Sequence, residues 1–366
     1  MRYCFGRIGP LAPNYGLMRG NGLRTFLRSC AVRCLSSVRQ GRRFGGWLGS
    51  LLLVLVGVPC VSSGECRTCA SVQSSLCHQG GCDEIWEVST RCLGPCPCDA
   101  MMRTANLEFR GCEDAVGWVC KSMDEFFANH DPCVITVVFV HGNRMNRQSV
   151  RERGLSWYRD LSRCGACRPP IRLVIWSWIS DPIKPITQDV RVKAARTPTQ
   201  SFLLAQFLSE LDVGPKVSLM GHSYGARVIG GALHMLGGGQ LRGRSLPTGS
   251  WCTRRRLRVV MWAAAFENSW LLPGNFFGCA LRVVDQLLIT CNRKDPVLKR
   301  YWRLDGQRNS QALGQVGLPG MSRRKCSWAN VRQVYVTHSV GRRHQWQKYA
   351  DEPEIRRCTC RNALWQ

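Results

Sequence analysis

The stretch that most constrains this chain runs from residue 216 to residue 236. An apolar run, Lys216-Val217-Ser218-Leu219-Met220, enters Gly221-His222-Ser223-Tyr224-Gly225, and a helical pattern follows at once over 226–236. A serine at a strand-to-helix turn must take unfavourable backbone angles, and glycines two residues to either side let strand and helix pass without Cβ collisions. Such a turn presents the Ser223 hydroxyl at the C-terminal edge of a sheet, where open α/β sheets bind ligands. It also aims the Tyr224 amide and the N-terminus of the next helix at any negative charge that develops there. The pentapeptide alone is common by chance. Its position between strand and helix makes Ser223 a candidate nucleophile.

The surrounding chain repeats the same alternation. Residues 135–140, 171–178, 216–220, 258–263, 285–290 and, more weakly, 331–336 are short apolar runs. Between the second and third, residues 199–211 place Phe202, Leu203, Phe207, Leu208 and Leu211 on one helical face. Continuous apolar strands alternating with helices predict an α/β fold, with a mostly parallel central sheet and helices on both faces. Apolar residues make up 45% of the 366, enough for a sizeable core.

A second motif, Phe139-Val140-His141-Gly142-Asn143-Arg144, ends the first strong strand. With the serine turn, it resembles the α/β-hydrolase superfamily, esterase- and lipase-like serine hydrolases, over roughly residues 131–350. In that family a His-Gly motif after the third strand supplies the second oxyanion amide. The resemblance therefore implies that the Asn143 amide pairs with that of Tyr224, while His141, Gly142, Gly221 and Gly225 shape the two loops. His141 is then structural and not a base.

A serine hydroxyl needs a base to take its proton and an acid to orient that base. The family's chain order, serine then acid then histidine, narrows the search. His234 lies on the helix behind the nucleophile, whereas His338 and His344 both follow the last strand. The stretch Val340-Gly341-Arg342-Arg343-His344-Gln345-Trp346 resembles the esterase and lipase ending in which glycine precedes a histidine followed by an aromatic, which favours His344 and leaves His338 a surface or supporting role. For the acid, residues 287–298 run from a strand through a short polar loop to Asp295-Pro296-Val297, the position that implies Asp295. Glu267, after the fourth strand, is the alternative, and Asp285 lies at the wrong end of its strand. The function implied is hydrolysis of carboxylic esters, small or lipid-like, through an acyl-enzyme, with no metal and no cofactor. The rival reading is a non-catalytic α/β-hydrolase-like binding or envelope protein. The intact serine–acid–histidine order argues against it.

The 51 Lys+Arg against 24 Asp+Glu give a formal charge of +27. Nine of the arginines sit in residues 1–64, which hold no acid, but the remainder is still strongly basic. These residues come in twos and threes with no interleaved aromatic strand, so they read as solvated surface, with no nucleic-acid partner. Residues 47–58 form an apolar run of signal-peptide length, too short for an ordinary membrane span, after a basic leader containing Arg42-Arg43. Export is expected, with the leader either cleaved near Ser62, Ser63 and Gly64 or kept as a membrane anchor. Eighteen of the 22 cysteines follow residue 64, ten of them between Cys66 and Cys133. Disulfide stapling of that front segment is the expectation. Cys66-Arg67-Thr68-Cys69 and Cys164-Gly165-Ala166-Cys167 are far apart and lack helper histidines, so neither reads as a zinc or redox site. The expected organisation is a leader over 1–64, a Cys-rich N-terminal segment over 65–130 and the α/β domain over 131–366.

Overall fold

The computed structural model describes residues 77–78, 81–113, 116–128, 131, 133–165, 168–211, 216–247, 257–305, 309–321 and 330–366. The basic leader, the apolar run at 47–58, Cys66 and Cys69 lie outside these residues. The apolar runs become strands of one nine-stranded sheet. In chain order they are β1 (Glu84–Ser89), β2 (Glu108–Glu113), β3 (Gly117–Lys121), β4 (Ile135–Val140), β5 (Ile171–Ser177), β6 (Val217–His222), β7 (Leu257–Trp262), β8 (Val284–Cys291) and β9 (Asn330–Tyr335). Across the sheet the order is β9-β8-β7-β6-β4-β5-β1-β2-β3. All pairs from β9 to β1 are parallel. Only the β1–β2 and β2–β3 pairs are antiparallel.

β4, β5 and β6 are buried at every position, which requires cover on both faces. The strand pleat assigns that cover. After the short α1 (Met123–Ala128) come α2 (Arg147–Ser162), α3 (Ile186–Glu210) and α4 (Tyr224–Leu236), then α5 (Trp346–Ala350) and α6 (Pro353–Ala363). On β5, Ile175 lies against Gly154 of α2, while its neighbour Trp176 packs on Phe207 of α3 with ring centroids 5.6 Å apart. Successive strand residues point to opposite faces, so α2 and α3 flank the sheet from opposite sides. α4 joins α3 through Ser201 Oγ, which donates to the Val228 carbonyl at 2.9 Å. α6 joins the α2 face, where Trp262 stands 4.2 Å from Trp157 and donates through Nε1 to Thr359 Oγ1 at 3.3 Å. A disulfide from Cys164 to Cys360 closes that layer.

The front of the chain departs from expectation. The chain divides after Glu65, and Cys66–Gln366 form a single unit, so the boundary expected at 130 falls inside one sheet. β1 lies parallel to β5 over six residues, from Glu84 opposite Arg172 to Ser89 opposite Ser177. Buried ion pairs reinforce the join: Glu87 accepts from Arg147 and Arg151 of α2, and Asp83 pairs with Arg168. Sheet pairing therefore holds this segment to the rest of the sheet. Cys92, Cys98, Cys120 and Cys133 are unbridged thiols. Among the described residues, no helix is long and apolar enough to cross a membrane.

Candidate active site

β6 delivers its chain directly to Ser223, which adopts φ 55° and ψ −118° before α4 begins at Tyr224. Neighbouring backbone holds this turn: the Ser223 amide donates to the Trp262 carbonyl at 3.0 Å, and the Ala265 amide donates to the Ser223 carbonyl at 3.3 Å. The two glycines have specific reasons to be there. A Cβ on Gly225 would stand 1.9 Å from the Val140 oxygen, and one on Gly221 2.7 Å from the Ala226 nitrogen. The His-Gly loop comes equally close, since a Cβ on Gly142 would meet Ser223 Cβ at 3.2 Å.

His344 reaches the serine from the loop after β9. Its Nε2 lies 3.1 Å from Ser223 Oγ, and its Nδ1 lies 2.7 Å from Asp295 Oδ2. An ionised Asp295 can only accept, so Nδ1 carries the ring proton and Nε2 is left to accept from the serine hydroxyl. Asp295 is fully buried and takes four donors. The amides of Val297 and Leu298 reach Oδ1 at 2.9 and 3.1 Å; the Tyr349 hydroxyl joins His344 on Oδ2 at 3.3 Å. Burial and the adjacent Asp295 charge push the Tyr349 phenol well up, which keeps it a donor.

The histidine loop is fixed by residues that the sequence did not single out. Asn292, fully buried at the end of β8, donates through Nδ2 to the Gly341 carbonyl at 2.8 Å and the Arg343 carbonyl at 3.4 Å. His222, the residue before Ser223, donates through Nε2 to the His344 carbonyl at 3.0 Å. Burial, with the neighbouring His344 and Arg153, holds His222 well below the usual histidine range, so it is neutral at pH 7. Of these, only His222 had a sequence signal, as the variable position of the pentapeptide.

The other candidates are occupied elsewhere. His141 is fully buried, donates through Nδ1 to the Gly142 carbonyl at 2.8 Å, and accepts at Nε2 from the Trp178 amide at 3.1 Å. Burial holds it well below the usual range too, which suits a neutral structural ring. His234 accepts at Nδ1 from the Cys279 amide, and His338 is exposed. The Glu267 carboxylate accepts from the Ser310 hydroxyl, and Asp285 pairs with Arg258 at 3.5 Å.

The serine therefore stands at the C-terminal end of a central parallel strand, on a left-handed turn into a helix. Asp295 follows β8 and His344 follows β9, and a His-Gly loop from the adjacent strand lies against Ser223. This is an α/β-hydrolase fold. No family model matches the chain, and no curated protein does. Among solved structures, it is similar to esterase B from Lactobacillus rhamnosis at 10% identity and TM-score 0.32, covering 94% of each chain. It is also similar to acyl-protein thioesterase 2 from Zea mays at 16% identity and TM-score 0.31, over 62% of this chain and 91% of that one. An esterase/lipase from an uncultured bacterium aligns at 12% identity and TM-score 0.29, over 85% and 93%. Likenesses this distant leave the site to be read from its own geometry.

Proposed function

We propose that this chain is a serine hydrolase that cleaves carboxylic esters, with Ser223 as nucleophile, His344 as general base and acid, and Asp295 as its orienting carboxylate. The observation that carries the reading is the unbroken relay from Ser223 Oγ through His344 to buried Asp295, on a serine held at positive φ. Ser223 Oγ attacks the ester carbonyl carbon as His344 Nε2 takes the hydroxyl proton. The amides of Tyr224 and Asn143 receive the oxyanion, and such preorganised stabilisation usually outweighs any other single contribution to catalysis. Collapse breaks the bond to the alcohol, which leaves with the proton from His344. Water then attacks the acyl-enzyme, giving up a proton to His344, and the acid departs as Ser223 regains its hydrogen. The deciding experiment is labelling with a fluorophosphonate probe. Wild type should label and hydrolyse a p-nitrophenyl acyl ester, whereas Ser223→Ala should do neither. Labelling undiminished in Ser223→Ala would remove the serine from the reaction.

The same reading has the enzyme working outside the cytoplasm, exported behind its basic leader. The Cys164–Cys360 bridge supports it, because structural disulfides persist in oxidising compartments. Alkylation without prior reduction, read by mass spectrometry on protein from its own host, should leave these two cysteines unmodified. Full alkylation of both would argue for a reducing compartment.

A further inference from the structure

The two residues whose amides the proposed mechanism assigns to the oxyanion are held, through their side chains, by one short piece of α3. Asn143 donates through Nδ2 to Asp189 Oδ2 at 2.7 Å. Tyr224, the first residue of α4, donates through its hydroxyl to the carbonyl of Val190, the residue after Asp189, at 3.0 Å. Asp189 lies in the first turn of α3 and is fully buried.

This anchor is stiff. The other Asp189 oxygen accepts from the Ile183 amide at 2.9 Å and from Lys193 Nζ at 3.0 Å. Lys193 is itself fully buried and donates also to the Asp181 carbonyl at 2.6 Å. Arg144, at φ 62°, reaches Asp189 Oδ2 at 3.5 Å, and its amide donates to Asn143 Oδ1 at 2.8 Å. Both ends of the Asn143 carboxamide are thus spent on holding the loop. What the loop offers a substrate at this residue is its peptide N–H.

We propose that the start of α3 is the brace of the oxyanion hole, with Asp189 as the positioning residue for Asn143 and the Val190 carbonyl as that for Tyr224. Neither touches substrate. Each fixes a donor whose value depends on being in place before the charge develops. The brace presupposes the serine-hydrolase reading and goes beyond it, since it assigns specificity for the transition state to a helix that carries no member of the relay.

The test is steady-state kinetics on a p-nitrophenyl ester for wild type, Ser223→Ala, Asn143→Ala, Tyr224→Phe and the pair Asp189→Asn with Lys193→Met. The pair avoids leaving a buried lysine charge unmatched. Asn143→Ala keeps the peptide amide and removes only the anchor. It should lower kcat about 10- to 100-fold with KM within about twofold, the signature of a donor displaced by a fraction of an ångström. Tyr224→Phe should move kcat in the same sense. Combining Asn143→Ala with the Asp189/Lys193 pair should be no worse than the more severe parent, because both remove one contact. A loss confined to KM, or wild-type kcat in Asn143→Ala and Tyr224→Phe while Ser223→Ala is dead, would overturn the brace and leave the hydrolase standing. Wild-type protein with no Ser223-dependent turnover would overturn both.

Discussion

Ser223 lies where non-glycine side chains are rarely found, and two backbone hydrogen bonds, to the Trp262 carbonyl of β7 and from the Ala265 amide just beyond it, confine it there. Removing its hydroxyl alone should leave the fold intact, so the circular dichroism of Ser223→Ala should match wild type. His344→Ala should be as inactive as Ser223→Ala, and His338→Ala close to wild type; the reverse order would move the base to His338. Asp295→Asn should lower kcat by about 10⁴ with little change in melting temperature, the cost seen when an amide forces the wrong imidazole tautomer. The neutral, buried His141 and His222 carry a different pH signature. In the unfolded chain both titrate near about 6.5. Below that pH the unfolded state binds protons that the folded state refuses, so stability is full above about pH 6.5 and falls with acidification. The two together add up to about two protons to the uptake on unfolding in that range, a slope on the order of 3 kcal/mol per pH unit at most. Urea midpoints between pH 4.5 and 8 should follow this slope, and His222→Asn should take about one proton out of it; an unchanged slope would show that His222 binds its proton when folded. That Ser223, His344 and Asp295 would come together was legible because each follows a strand in a local pattern: the glycine-flanked turn for Ser223, the stretch after Gly341 for His344 and Asp295-Pro296-Val297 for the carboxylate. Asn292, Tyr349 and Asp189 were not, because their partners at 341, 295 and 143 are neighbours only after folding.

At the scale of elements, the buried strands were legible nearly to the residue, since β4 to β8 are apolar on both faces and bounded by polar turns. α3 was not. It begins at Ile186, thirteen residues before the apolar face that marks it, because the first half of the helix carries Asp189, Lys193 and Pro198 where apolar residues would advertise burial. Those polar groups are buried all the same, matched to one another and to the loop after β4. β2 and β3 escaped notice because β2 is only half-buried, β3 at the sheet's edge has no buried residue, and both resemble loop in composition. The meeting of β4, β6 and α4 leaves no room at Gly225. Gly225→Ala should lose at least about 3 kcal/mol of stability or fail to fold, since its methyl would collide with backbone that cannot turn aside. Soluble, fully active Gly225→Ala protein would mean that strand and helix stand farther apart than this.

For the molecule as a whole, the three front strands change what counts as the folded unit. A fragment of residues 131–366 retains every residue of the relay yet strips β1 from β5, leaving a long apolar edge strand open to pairing with other chains. Such a fragment should aggregate, and size-exclusion chromatography should show no monomer, whereas a fragment beginning near residue 66 should behave as the intact unit. The Cys164–Cys360 bridge has a consequence of another kind. Its partners are 196 residues apart, and Ser223, Asp295 and His344 all lie on the covalent ring that it closes. A protease that cuts this ring once between residues 223 and 344 opens it without releasing anything: the piece bearing Ser223 and the piece bearing His344 stay tethered through sulfur. A molecule nicked in this way keeps its parts at each other's side, and only a second cut, or a reductant, lets them diffuse away.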